Sequence, residues 1–400
     1  MASYGAARPL AALAALSVGA FAYVTAEALP IGLLLHIAGD LGVSTSAAGL
    51  LVTCYGAVVV LASIPLTVLT RHVPRRLLLS VVLAVFVVAT VLSAVATSYG
   101  LVLAARMVGA LSQAQYWAVV VPTAAGLFAP RVRGRVVAVV FAGGTAAIVL
   151  GVPAGTWLGD VAGWRMAFMA LGAVGAATLA AVALLMPPAP AGQGHAAQGA
   201  APDAARYGVL ILVAALASAG AFTAYTYVAP FLTDVSGFPP SAISPILLGR
   251  GAASMVGVVI SGIVVDRRPR LAMTVPVALQ AVALIGLFAL GDHAIAAIGL
   301  LAFAGMALAA LTSALGSRVL ELAPGRSDLA SAGASTAFNV GITTGALVGG
   351  LLLPGFGVRG TVLVGGLLSA VAVAVATGES WLGAPRSPSG SPAVPAIPPE

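Results

Sequence analysis

The chain has 400 residues, 60% of them hydrophobic and only 7% charged, with a formal net charge of +7 and a mean hydropathy of +1.10. Soluble domains carry about 25% charged residues, so this composition excludes a water-soluble fold and predicts a polytopic protein in a lipid bilayer. Lys is absent, and the Arg residues sit between apolar runs rather than in an aromatic-flanked stripe, which argues against a nucleic-acid partner.

A helix needs about 20 mainly apolar residues to cross the hydrocarbon core. Twelve segments meet that requirement: 9–35, 47–70, 77–97, 101–128, 136–159, 165–186, 207–233, 242–265, 271–290, 294–320, 329–353 and 361–383. The first is longer than the roughly 7–15-residue core of a signal peptide and reads as a retained helix. Internal Pro and Gly do not exclude a helix in lipid, because neighbouring helices satisfy the freed backbone groups. The single cysteine, Cys54, has no partner for an internal disulfide.

Three arginine clusters separate these segments: Arg71, Arg75 and Arg76; Arg131, Arg133 and Arg135; Arg267, Arg268 and Arg270. Cytoplasmic loops carry the excess of basic residues. With a cytoplasmic N-terminus, 14 of the 18 Arg fall on the cytoplasmic side: these nine plus Arg8, Arg206, Arg318, Arg326 and Arg386. Arg165 and Arg359 fall on the other side, and Arg106 and Arg250 lie within segments. The expectation is a multi-pass protein of the cytoplasmic (inner) membrane with both termini in the cytoplasm.

Residues 187–206 form a low-complexity cytoplasmic linker between an N-terminal six-helix half (1–186) and a C-terminal one (207–384). Residues 385–400 form a Pro-rich tail expected to be disordered. The halves look related. Gly262, Asp266, Arg267 and Arg270 after the eighth segment mirror Pro65, Arg71, Arg75 and Arg76 after the second, and Phe141 and Gly144 mirror Phe338 and Gly341. Six-helix repeats are a transporter signature, with the site near the midplane between repeats. The fold class predicted is an all-α membrane protein of 12 transmembrane helices in two pseudo-symmetric halves.

Charged residues within a span cost about 2.5–3.5 kcal/mol on insertion scales and by default indicate function. Glu27, Arg106 and Arg250 are the candidates, each roughly 8–12 Å deep at 1.5 Å per residue. Glu27 is the only acid well inside a segment. Such a carboxyl can bind and release a proton as its surroundings change between wet and dry, and it is the candidate coupling group. A structural ion pair with Arg106 or Arg250, or a hydrogen bond to substrate, are the alternatives. Arg106, Gln113 and Trp117 lie within about 40° on one helix face, a stripe suited to lining a cavity or to gluing helices together. Tyr23 sits one turn before Glu27. Phe222 and Tyr225 in the seventh segment and Asn339 in the eleventh complete the candidate substrate-binding set with Arg250, since apolar pockets with few polar groups suit small organic ligands.

Gly144, Gly151, Pro153 and Gly155 in the fifth segment and Gly341 and Gly345 in the eleventh provide small surfaces that let helices approach and slide. They are expected between the two halves, with Asp266 and Arg270 acting on conformation. No nucleotide-binding G-x-x-x-x-G-K-[ST] occurs, and the four histidines are scattered, so neither an enzyme, a metal nor a bound cofactor is expected.

At these residues the chain resembles the major facilitator superfamily. The carriers are the two six-segment halves, the basic loops after segments two and eight, and L-A-A-R-M-V-G-A-L at 103–111. The resemblance is greatest to the bacterial drug:proton antiporter branch of sugar-efflux, arabinose-export-like and chloramphenicol-efflux proteins. It rests on T-A-E-A-L-P-I-G-L-L at 25–34, Y-W at 116–117, G-V-P-A-G-T-W-L-G at 151–159 with G-W-R at 163–165, and Y-T-Y-V-A-P-F-L at 225–232. The resemblance implies alternating access by rocking of the halves and a role in proton antiport for Glu27 and Arg106. Two departures stand out. Arg71 occupies the position of an Asp usual in the loop after the second segment, with Pro65 and Pro74 for glycines. Val152 splits the usual Gly-Pro of the fifth. The expected function is proton-coupled efflux of a small organic molecule, a sugar-like compound or an antibiotic, by a monomer. The rivals are proton-coupled nutrient uptake and a non-transporting sensor or scaffold.

Overall fold

The computed structural model describes residues 3–70, 72–129, 133–187, 202–265, 267–324 and 327–378, and the regular structure among them is helical. Lipid offers backbone groups no hydrogen bonds, so apolar segments of this length must close their bonds internally. Among the described residues ten helical stretches are long and apolar enough to cross a membrane, one of them the 46-residue run Gly333–Gly378.

The chain opens with α1 (Ser3–Gly32) and, after a break at Leu33, α2 (Leu34–Leu41). Gly42 ends α2 with φ 62°, a left-handed cap that favours glycine. Ser44 then starts α3 (Thr45–Leu69) by accepting the Ala47 N–H at 3.1 Å. Next come α4 (Arg75–Val95), α5 (Tyr99–Gly126) and α6 (Arg133–Ala146). A π-helical turn over Ala147–Gly151 joins α6 to α7 (Val152–Ala162), directly before Pro153. Pro153 has no N–H to give to the fourth residue back, and a wider turn accommodates the loss. Then α8 (Trp164–Leu185) ends the first half.

In the second half Asp203 caps α9 (Ala204–Tyr225), accepting from the Ala205 and Arg206 N–H groups at 3.0 Å. The helix breaks before Pro230 and continues as α10 (Val228–Asp234), followed by α11 (Ile243–Val265), α12 (Pro269–Leu290), α13 (Ala294–Leu322) and α14 (Ser327–Gly378). Gly357, at φ 65° and ψ −179°, divides α14 into two arms. Gly341, Gly345 and Gly349 meet Ser218, Ala219 and Thr223 in turn, so the first arm runs parallel to α9. On the second arm Val362 shares a cavity wall with Ala224, and Gly365 meets Gly220, so that arm runs back along it. Each predicted segment thus coincides with helix, and the eleventh and twelfth are these two arms. The linker at 188–201, the tail from 379, Arg71, Arg131 and Asp266 lie outside the described residues.

The largest apolar core lies wholly within residues 12–186, around Tyr23, Phe86, Tyr116 and Phe168, and two more lie within 210–376. Another joins the halves, bringing Ile31, Val52 and Val152 against Tyr225, Val228 and Ile243. Among the described residues two hydrogen bonds cross between the halves: Ser46 Oγ to Gly350 O at 2.9 Å and Ser244 Oγ to Pro153 O at 2.8 Å. Both lie at the end of the bundle opposite the arginine clusters. There the buried Tyr227 ring fills a slot between Gly49 of α3 and Gly349 of α14, and its hydroxyl donates to Ala346 O at 3.0 Å. Towards the arginine end of α3, Leu61, Ile64, Val68 and Leu69 are exposed.

The expected glycine contacts need correction. A Cβ on Gly151, Gly155 or Gly159 would strike Thr25, Leu29 or Leu33 of α1, and Gly341 and Gly345 press on α9. These approaches lie inside each half rather than between halves, because four-residue spacing marks a close neighbour without saying which helix supplies it. Gly144 has only ordinary contacts, 3.5 Å to Val24 and 3.7 Å to Trp117. Glycines whose Cβ would strike the other half include Gly49, Gly56 and Gly251; a Cβ on Gly251 would lie 2.8 Å from Val149 Cα in the π-helical turn.

At the same end Arg165 donates to Asp40 Oδ2 and to Ala96 O (3.0 Å), and Trp164 Nε1 donates to Asp40 at 3.2 Å, tying α2, α4 and α8 together. The Arg165 hydrogen bond holds the Asp40 carboxyl below the ordinary range, against a small opposing effect of burial. A depressed carboxyl adds stability above its unfolded pKa of about 3.9, lost as pH falls through the lower folded value. Asp40→Asn should therefore lower thermal stability at pH 7 by no more than about 1 kcal/mol at this half-exposed site. In thermal unfolding scans the difference from the parent protein should shrink as pH falls below about 3.9 and disappear only below the depressed folded value.

Candidate functional site

Pro30 is the starting point. It sits inside α1, and its missing N–H leaves the Ala26 carbonyl, four residues back, without its helical partner. Arg106 of α5 supplies the replacement: Nη1 donates to Ala26 O at 2.8 Å, Nη2 to Glu27 O at 3.2 Å and Nε to Leu51 O of α3 at 3.3 Å. One guanidinium thereby fastens three helices. It is 3% exposed, and its Cζ lies 4.6 Å from the Tyr55 ring centroid, a stacking that favours a cation out of water.

The Glu27 carboxyl does not pair with Arg106. Its Oε2 accepts from Gln113 Nε2 at 2.6 Å, and Gln113 Oε1 accepts from the Tyr55 hydroxyl at 2.8 Å. Glu27 Oε1 is sealed from solvent and has no hydrogen-bond partner among the described residues. The amide donor serves a carboxylate and a carboxylic acid alike, since either leaves an oxygen at Oε2 to accept. Oε1 can therefore gain or lose a proton without breaking a bond of Arg106. The direct ion pair set out as an alternative reading of Glu27 is not formed, because the carbonyls freed or offered by α1 and α3 take up the guanidinium instead.

Spacing along α5 predicts Arg106, Gln113 and Trp117 on one face, and the structure joins the first two at Glu27. Trp117 stands apart, stacked on Phe141 at 5.7 Å with Tyr116 edge-on at 6.1 Å. Tyr23 is a correction: it is fully buried in the core of the N-terminal half, against Phe86 and Tyr116 at 4.5 Å, with its hydroxyl donating to Val82 O at 3.1 Å. The four-residue step from Glu27 rotates it into α4 and α5 and away from any cavity.

In the C-terminal half Phe222 and Tyr225 meet edge to face at 5.8 Å, and Arg250 lies 3.8 Å over the Tyr225 ring. Tyr225 packs in the cluster that joins the halves, on the same side as Ile31 four residues beyond Glu27. Asn339 does not join either group; its Nδ2 donates to Ser335 O of its own helix at 2.9 Å. Arg270 is exposed on the first turn of α12. No group of three His, Cys, Asp or Glu side chains converges among the described residues. Tyr55 is the functional candidate missing from the sequence reading. One aromatic in an apolar run carries no signal until the crossing of α3 and α5 sets it beneath Arg106.

Comparison with known proteins follows this geometry. The profile of the Major Facilitator Superfamily matches residues 16–327. The chain is 34% identical over 379 residues to an uncharacterised MFS-type transporter, YtbD, of Bacillus subtilis (strain 168), covering 93% of this chain and 95% of that one. It is 35% identical over 371 residues to a chloramphenicol resistance protein of Streptomyces lividans, covering 90% and 94%. It is 30% identical over 361 residues to a probable sugar efflux transporter of Mannheimia succiniciproducens, covering 90% and 91%. A crystal structure of a bacterial homologue of the human lysosomal transporter Spinster, inward-facing and unoccupied, matches the fold with a TM-score of 0.73 at 16% identity, covering 94% of this chain and 97% of that one.

A lysine cannot reach three carbonyls or stack as a guanidinium does, and each charged hydrogen bond is worth about 1.5–3 kcal/mol. Arg106→Lys should therefore cut the initial transport rate in proteoliposomes at least about tenfold, the equivalent of 1.4 kcal/mol. Circular dichroism should show the helix content unchanged.

Proposed function

This chain belongs to the major facilitator superfamily and is a multi-pass membrane transporter of small molecules, and we propose that it exports its substrate in exchange for protons. The observation that carries the reading is the Glu27 carboxyl, buried with a single neutral donor, Gln113 Nε2, on one oxygen and the other oxygen unpartnered among the described residues. An acid in such a place exchanges a proton when its surroundings hydrate and dry in turn. Arg106 stands beside it on fixed carbonyls, so a cation lies near the carboxyl without trapping it in an ion pair.

In this reading residues 1–186 and 207–384 are two bodies joined by the 187–206 linker, and they rock about Glu27 and Tyr225. The arginine clusters and both termini face the cytoplasm in the inner membrane, following the excess of basic residues on that side. The present conformation, closed by Ser46, Ser244 and Tyr227 at the opposite end, then opens towards the cytoplasm. Substrate enters there while Glu27 releases its proton. Rocking exposes the site outside, where protonation of Glu27 accompanies substrate release. Phe222, Tyr225 and Gln113 contribute the aromatic and amide surface that a small, largely neutral molecule needs. The relatives named for chloramphenicol resistance and sugar efflux support a hydroxylated organic substrate of the phenicol or sugar type. The transporter acts as a monomer and uses no cofactor.

Proteoliposomes with radiolabelled chloramphenicol or arabinose test this. Substrate should move against an imposed proton gradient, opposite to the protons. Glu27→Gln should lose at least about tenfold of gradient-driven transport while keeping substrate-for-substrate exchange, since only the protonation step is removed. Movement of substrate together with the protons, or a Glu27→Gln variant with a full response to the gradient, overturns the reading.

A further inference from the structure

The interior of the C-terminal half holds a cavity of about 20 Å³, bounded by α9, α10, α11, α12, α13 and the second arm of α14. That is room for roughly one water molecule. Its walls are apolar and aromatic apart from Arg250 and Gln280, which are 6% and 1% exposed.

Each of these two lining side chains carries one buried polar atom without a hydrogen-bond partner among the described residues. Gln280 Nε2 donates to Ala217 O and to Ser369 Oγ, each at 2.8 Å. Ser369 spends its own hydrogen on Gly365 O at 2.8 Å, so its oxygen can only accept from Gln280. The amide orientation is thereby fixed, with Oε1 as a buried acceptor lacking a donor. Arg250 Nε is a buried donor lacking an acceptor. The arginine is held in place: its Cζ sits 3.8 Å over Tyr225, and a Cβ on Gly305 of α13 would lie 2.6 Å from its Cγ. An unmet donor and an unmet acceptor each carry a free-energy cost when buried, and no carboxylate lines the cavity to pair with the guanidinium.

We infer that this cavity is a hydroxyl-recognition site, in which one oxygen accepts from Arg250 Nε and donates to Gln280 Oε1. Only a group that is donor and acceptor at once satisfies both side chains, which excludes a halide, a methyl and a carbonyl. Water and a hydroxyl of the substrate share that chemistry. Tyr225 belongs both to the cavity wall and to the cluster joining the two halves, so a substrate hydroxyl arriving from that cluster would meet the site at this residue. The substrate source rests on the proposed export of hydroxylated compounds; the water source does not.

The experiment uses the full-length protein in lipid nanodiscs. Thiamphenicol and florfenicol are the probes, because they differ only by a hydroxyl replaced with fluorine. A ligand-free map resolving ordered solvent should show one oxygen within about 3.2 Å of both atoms. Calorimetry should show thiamphenicol binding at least about tenfold tighter than florfenicol, because a site built to bond a hydroxyl rejects its deoxy analogue. Gln280→Met should abolish that preference. An oxygen in the map with equal phenicol affinities upholds the site and assigns it to solvent. A hydroxyl preference removed by Gln280→Met upholds it and assigns it to substrate. A dry cavity without such a preference overturns the proposal, and the wild-type map and affinities decide this even if the variant does not fold. Loss of gradient-driven export would overturn proton exchange while leaving the map unaffected, so the two failures are distinguishable.

Discussion

Everything around the candidate site hangs on a carbonyl that Pro30 leaves free. An ordinary residue there would close the helical bond to Ala26, and α1 would present no backbone acceptor in mid-span. With proline, the acceptor exists in a setting where an unmet polar group is costly. Arg106 meets the need and at the same time reaches Glu27 O and Leu51 O. A charged side chain that would be expensive in lipid thus becomes a fastener between α1, α3 and α5. Its charge then has a fixed position beside Glu27, whose backbone carbonyl it bonds and whose carboxyl it does not. That carboxyl is left to a neutral partner, which separates structural support from the proposed proton exchange.

The second half has the same kind of interruption and a different outcome. Pro230 breaks the seventh predicted segment into α9 and α10, as Pro30 and Leu33 break the first into α1 and α2. Yet the intramembrane arginine of that half comes from α11, stacks on Tyr225 and has no acid beside it. The pseudo-symmetry of the halves therefore extends to helix order and helix breaks but not to charge. One half carries an arginine with a carboxyl, the other an arginine with an aromatic ring and an amide. Proton handling and substrate handling can in this way reside on opposite sides of a single interface.

Much of the fold was legible in the sequence because lipid imposes a strong rule: long apolar runs with sparse charge must be helices, and arginine clusters must lie between them. The meeting of Glu27 with Arg106 and Gln113 was legible in part, since spacing puts the latter two on one face of α5. Tyr55 was not, because nothing along α3 records how it crosses α5. Tyr23 was misplaced for a related reason: a rotation of about 40° from Glu27 is small on a helical wheel but enough to move a side chain from an interface into a core. The glycines of the fifth and eleventh segments were expected between the two halves, because their spacing marks a close neighbour without saying which helix supplies it. For Gly151, Gly155, Gly341 and Gly345 that neighbour is α1 or α9 of the same half, and the contacts between halves are carried by other residues.

Tyr227 is one of those. Its ring occupies space that exists only because Gly49 and Gly349 have no side chains, and its hydroxyl is anchored on Ala346 O of its own half while the ring faces Gly49 of the other. A methyl on Gly49 would collide with the ring itself, not with a flexible tip, so the aromatic plug must leave before the two rims can touch. In the proposed rocking cycle, the closeness of this rim therefore depends on the absence of a single β-carbon at Gly49.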